Sequence, residues 1–209
     1  MTLKAGSRTK WGKADHVTNV APGIQNVSTP GHGGYKLDRA RNVEVHAAWR
    51  REGGWYEEDC EWAIVWLTFE QAFRDHAPTD HVFRQTLEQA HSTARNYYPD
   101  EYTTVTGARI TLEQSRVLRR RKFEAENRAN YVATAAWGAW HDKVPAGFVG
   151  VVARKAGTVN PMRFAKATGS DKAVRNDERW FLIPEADYAA REEFGLVIRP
   201  EHQEWSDHA

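Results

Sequence analysis

Hydrophobic residues at Trp62, Val65, Trp66, Phe69 and Phe73 recur at intervals of three and four, the spacing that gathers side chains on one helical face. Ile64 and Leu67 widen that face, so the pattern predicts a helix buried on most sides and ended by Pro78. A second apolar stripe, Phe83, Leu87, Ala90, Ala94 and Tyr97, predicts a helix capped by Thr79 or Asp80 and stopped by Pro99. Thr111-Leu112-Glu113-Gln114 matches a capping box and predicts a helix running to about Asn130. Asp38 is placed to cap a shorter helix through Trp49, which Gly53-Gly54 ends.

Outside this middle the period shortens. "HVTNV" and "IQNVST" are β-branched and alternate, which predicts two short strands around a Pro-Gly turn. "YVATAAWGAW", "GFVGVVAR" and "RWFLIP" predict strands, split by Pro145-Ala146-Gly147 and by a polar loop over 155–178. "EADYAAREE" reads as a small helix and "GLVI" as a last strand. The expected fold is therefore α+β: a single domain over 15–209, with a helical middle at about 38–131 and a β-rich part at about 131–198. Residues 1–14 read as a flexible basic arm that Trp11 could pin.

Composition narrows the classes. The 209 residues carry 29 basic and 28 acidic side chains, so no global field favours nucleic acid. Cys60 is the sole cysteine, which excludes intrachain disulfides and multi-cysteine zinc sites. No apolar run approaches the roughly 20 residues that span a bilayer, and the N-terminal stretch has no apolar signal region. The expectation is a protein of a reducing cytoplasm with no membrane partner. Nine tryptophans leave large aromatic surface for a core, a ligand or an interface.

Two runs carry the candidate chemistry. "STPGHGGYKL", residues 28–37, reads as a tight loop at Pro30-Gly31-His32-Gly33-Gly34, which cannot be regular structure. "GGWYEEDCEW" follows at residues 53–62. If the helix of Trp62 extends backward, Glu58 and Asp59 fall on its apolar face and need partners there. His32 could supply the partner, since a histidine beside carboxylates is raw material for an acid/base pair or a divalent-metal site. On an enzymatic reading His32, Glu58 and Asp59 are catalytic, while Gly31, Gly33, Gly34, Tyr56 and Glu57 hold a nucleotide or other phosphate-containing substrate. On a structural reading the loop and the acidic turn only brace each other. Cys60, flanked by acids, is a poor nucleophile. Arg116, Arg119, Arg120, Arg121 and Lys122 could contact phosphates, but Arg120 with Glu124 and Lys122 with Glu126 sit at i, i+4 and favour a solvated face.

The two runs, together with the tail "RWFLIPEADYAARxxFGLVI", resemble a domain of unknown function carried by bacterial phages and plasmids, with the likeness spanning about 11–198. That family brings no activity. What the resemblance implies is context: an accessory protein in a bacterial cytoplasm that binds and modulates or inhibits a host protein or ribonucleoprotein complex, such as a nucleic-acid-processing defence system. Nucleic acid is a further candidate partner.

Overall fold

The computed structural model describes residues 2–158 and 178–206, and these bear out the α+β class. Contacts gather into two compact units, residues 1–119 and 120–209. Most of the polar loop expected at 155–178, including Gly169, lies outside the described residues.

The first unit is built on an antiparallel sheet ordered β3-β4-β5-β6. Strands β3 (His16–Ala21) and β4 (Ile24–Ser28) flank the Pro22-Gly23 turn, as the alternation predicts. Strand β5 (Gly33–Leu37) pairs with β4, and the short β6 (Trp55–Glu57) pairs with β5. The glycine run is therefore only partly a loop, because Gly33 and Gly34 already belong to β5. Directly paired residues share a face of a sheet. The row Asn26, Tyr35, Tyr56 thus faces one way, and the rows Asn19, Gln25, Lys36, Trp55 and Val27, Gly34, Glu57 face the other.

Helices cover the first face. They are α1 (Arg39–Glu44), α2 (Trp62–Thr68), α3 (Glu70–His76), α4 (Asp80–Tyr97) and α5 (Pro99–Thr106). Trp66 stacks on Phe73 with ring centres 4.2 Å apart and donates its indole N–H to the Tyr35 hydroxyl at 3.0 Å. Ile24, Leu37, Tyr56, Ile64, Val65 and Phe83 complete the core. Each such side chain contributes about 1.5–3 kcal/mol on burial.

The long apolar stripe does not lie on one helix. Phe69 takes non-helical angles (φ −118°, ψ 39°) between α2 and α3, and the stripe stays buried across the break. Asp38 does cap α1, accepting from the Arg41 amide, but the helix ends at Glu44 rather than at Trp49. Thr79 caps α4 as expected, accepting from the Val82 amide at 3.2 Å. Pro99 stops α4 and also opens α5 as its first residue, where a missing N–H costs nothing.

Residues 3–14, expected as a loose arm, fold over the second face. They form a hairpin of β1 (Arg8–Thr9) and β2 (Gly12–Lys13), and the Gln25 side chain pairs with both backbone groups of Leu3.

The division between the units falls within α6 (Arg116–Glu126). This helix starts later than the Thr111 motif implies. Thr111 to Gln114 close a separate turn, and the buried Ser115 hydroxyl accepts from the Leu118 amide. The second unit holds an antiparallel sheet ordered β10-β9-β8-β7, made of β7 (Tyr131–Trp137), β8 (Phe148–Lys155), β9 (Arg179–Pro184) and β10 (Gln203–Glu204), with α7 (Glu185–Ala189) after β9. "GLVI" does not form a strand. It makes an isolated bridge from Val197 to Val132 on β7. Val151, Ala153, Phe181, Ile183 and Leu196 pack on one side of the sheet, and Leu182, Trp205 and Val144 on the other.

Candidate functional site

The histidine run and the acidic run meet as neighbouring strands. Gly34 pairs with Glu57, Tyr35 with Tyr56 and Lys36 with Trp55. The ladder continues one step further, where the Glu58 amide donates to the Gly33 carbonyl at 3.1 Å. Glu58 and Asp59 are consequently not on a backward extension of α2. They sit in the turn that follows β6. Local helical spacing cannot foresee this, because β6 exists only through its pairing with β5.

The glycines are required by close approach. Gly34 has φ +144°, and a Cβ there would overlap the Tyr56 carbonyl oxygen and stand 2.8 Å from the Trp11 ring. Trp11 lies over this gap and meets Trp55 edge to face at 5.1 Å. A Cβ on Gly33 would lie 2.6 Å from a Glu58 carboxylate oxygen. The glycine pair thus lets one tryptophan and one carboxylate settle directly on the sheet. Gly31 is exposed, with open space beside it.

Several polar groups around the acidic turn are occupied by one another. Glu57 accepts from the Asp59 amide at 2.6 Å, and its own amide donates to Glu61 at 3.1 Å. Burial, aided by the Asp59 charge, raises the Glu57 carboxyl above the usual carboxylate range. Glu61 forms an ion pair with Arg51 at 2.6 Å, and the Arg51 guanidinium lies over the Tyr98 ring at 5.3 Å. The Tyr56 hydroxyl accepts from the Arg51 amide and donates to Asn42 at 2.7 Å. Burial pushes the Tyr98 phenol up to about 12. Burial and the charges of Glu57, Asp59 and Glu61 push the Cys60 thiol up to about 11, so it is a poor nucleophile as expected.

His32 stands apart from this network. It is exposed, and its backbone carbonyl accepts from both the amide and the hydroxyl of Thr29. Among the described residues its ring makes no hydrogen bond or ion pair with Glu58 or Asp59, and no three His, Cys, Asp or Glu side chains converge as a metal-ligand set.

The basic helix is engaged largely within the chain. Arg120 pairs with Glu124 at 2.9 Å and Lys122 with Glu126 at 3.8 Å, the i, i+4 pairing that the sequence favours. Arg119 donates to the Leu112 and Glu113 carbonyls. Arg116 and Arg121 are exposed, and the Arg116 amide donates to Asn96.

The second unit offers a surface that no periodic signal marks. Trp137 stacks on Trp180 at 4.9 Å, Trp180 meets Trp205 edge to face at 5.9 Å, and His141 meets Trp205 at 5.9 Å. Trp205 is buried over Gly150, where a Cβ would overlap its ring. Trp140 follows in contact with His141 at 5.9 Å and is 77 % exposed. Its loop is fastened on both sides by the His141 amide bonded to the Gly138 carbonyl and by buried Val144 bonded to the His141 carbonyl.

A family model described as "Domain of unknown function (DUF7007)" matches residues 4–128. No curated protein matches the chain, and no solved structure does. The matched span takes in the first unit from residue 4 together with α6 and stops before β7, so the sheet that carries Trp137 and Trp180 lies outside it.

Proposed function

Since the chain belongs to the DUF7007 family, a membership that brings no activity with it, its own surfaces have to supply the function, and we propose that it acts by binding a macromolecular partner. In this reading it is an accessory protein of the phage- and plasmid-borne kind that its motifs resemble. It modulates or inhibits a host protein complex, with a nucleic-acid-processing defence system as the target class.

The observation that supports this reading is Trp140. A large apolar ring held 77 % in water is unfavourable for an isolated chain, and tryptophan is the side chain most enriched at the energetic centres of interfaces. The loop that presents it is braced from below by the rings of His141 and Trp205, so little order has to be gained on binding. The basic helix supports a protein partner over a phosphate backbone, because Arg119, Arg120 and Lys122 already serve carbonyls and carboxylates of the chain.

The test is site-specific photo-crosslinking in bacterial cells. A benzophenone side chain at position 140 is expected to give a discrete heavier adduct, and one at position 32 is expected to give none. An adduct from position 32 alone would move the working surface to the histidine loop and overturn the reading.

A further inference from the structure

The outward face of the first unit's sheet is not fully covered. The cross-strand row Asn19, Gln25, Lys36 and Trp55 runs over it, with Trp11 closing the Trp55 end and Leu3 lying across Gln25. Between that cover, the Pro22-Gly23 turn and the residues Asp38 and Arg39 lies a cavity of about 660 Å³. Cavities that hold small ligands fall at about 300–1,000 Å³.

The hydrogen-bonding groups of its wall do not balance. Gln25 is fully used, since its oxygen accepts from the Leu3 amide while its nitrogen donates to the Leu3 carbonyl and to Asn19 Oδ1. That bond takes the Asn19 oxygen and leaves the Asn19 N–H groups. Lys36 Nζ donates to the Leu37 carbonyl at 2.9 Å and the Gly53 carbonyl at 2.5 Å and lies over the Trp55 ring at 5.1 Å, which leaves one of its three N–H bonds without a hydrogen-bond acceptor. Asp38 Oδ1 accepts from the Arg41 amide, so the start of α1 is already answered by its own cap. Arg39 brings five N–H donors and, among the described residues, has no hydrogen-bond or ion-pair partner. Among these side chains unused donors therefore outnumber unused acceptors, and two cations stand beside one carboxylate.

We propose that this cavity binds a small organic anion through a carboxylate or phosphate group, with Arg39 as the principal contact and Lys36 and Asn19 supplying further donors. A planar guanidinium matches either group with two parallel hydrogen bonds. Burial holds the Lys36 ammonium below the usual lysine range, and the Asp38 carboxylate offsets part of that cost. The proposal rests on the first unit alone and makes no use of Trp140.

The experiment is thermal unfolding of the full chain in inorganic phosphate, succinate or adenosine monophosphate, each compared with sodium chloride at equal ionic strength. At least one probe is expected to raise the midpoint above the chloride control. A rise with phosphate or the nucleotide alone assigns a phosphate ligand, and a rise with succinate alone assigns a carboxylate. Arg39→Gln should weaken the apparent affinity by about tenfold or more, the usual consequence of losing charge-assisted hydrogen bonds, and Arg39→Glu should abolish it. Both variants should keep the ligand-free midpoint, since Arg39 holds nothing else in place. No rise with any probe, or a rise undiminished in Arg39→Gln, would overturn the proposal.

Discussion

In the unit formed by residues 1–119, a four-stranded sheet is covered by helices on one face and by the N-terminal hairpin on most of the other. Its conspicuous residues are largely used internally. Gly34 admits Trp11, Glu57 holds the Asp59 amide, and Glu61 neutralises Arg51. In the unit formed by residues 120–209, the aromatic residues on one side of the sheet lead outward, from buried Trp205 through His141 to exposed Trp140. The part that matches the family thus uses several residues of its unusual motif in its own strand junction, and the part beyond the match carries Trp140, the most exposed large apolar side chain among the described residues. An uncommon sequence motif can record a demanding strand junction as readily as a reaction centre.

The strongest way to break this comparison is at Gly34. Gly34→Ala places a Cβ against the Tyr56 carbonyl at φ +144° and should cost about 3 kcal/mol or more, measured by urea unfolding of the first unit. A near-neutral result would mean that the glycine is kept for something other than the junction.

Trp205→Ala should come close behind. It empties the space over Gly150 and should cost the second unit about 3 kcal/mol, with the adduct from position 140 weakened because His141 loses its support. Retention of a full adduct would show that Trp140 needs no pedestal.

A smaller effect is expected at alkaline pH. Cys60 and Tyr98 lose their protons at about 11 and about 12 in the fold, against ordinary values of 9.0 and 10.0. Across that window the unfolded chain holds fewer protons than the folded one, so stability falls as pH rises from about 9 toward 12. Cys60→Ser should remove the earlier part of the decline. The same raised value predicts slow alkylation of Cys60 by iodoacetamide near neutral pH.

The smallest effects belong to His32→Ala and Trp140→Ala, each expected within about 0.5 kcal/mol of wild type, because both side chains are exposed. Trp140→Ala should nonetheless lose the partner, and His32→Ala should keep it. That contrast, at equal stability, sharpens the division between the units.

Features legible in the sequence were those set by near neighbours. The strands around Pro22-Gly23, the Thr79 cap, the pairing of Arg120 with Glu124 and the inert Cys60 all follow from residues a few positions apart. Features set by distant partners were not legible. Gly33-Gly34 reads as a breaker because its strand identity comes from Glu57 and Glu58, more than twenty positions away. The break at Phe69 is silent because both flanking helices bury the same stripe. Trp140 is one tryptophan among nine, and exposure has no period to betray it.

The most direct test of the central claim combines the two motif changes in one chain. The adduct formed from a benzophenone at position 140 should be undiminished in the His32→Ala, Glu58→Gln double variant, with the fold checked by its urea midpoint. Loss of that adduct from a chain that still folds would contradict the account and return the function to the histidine loop and the acidic turn.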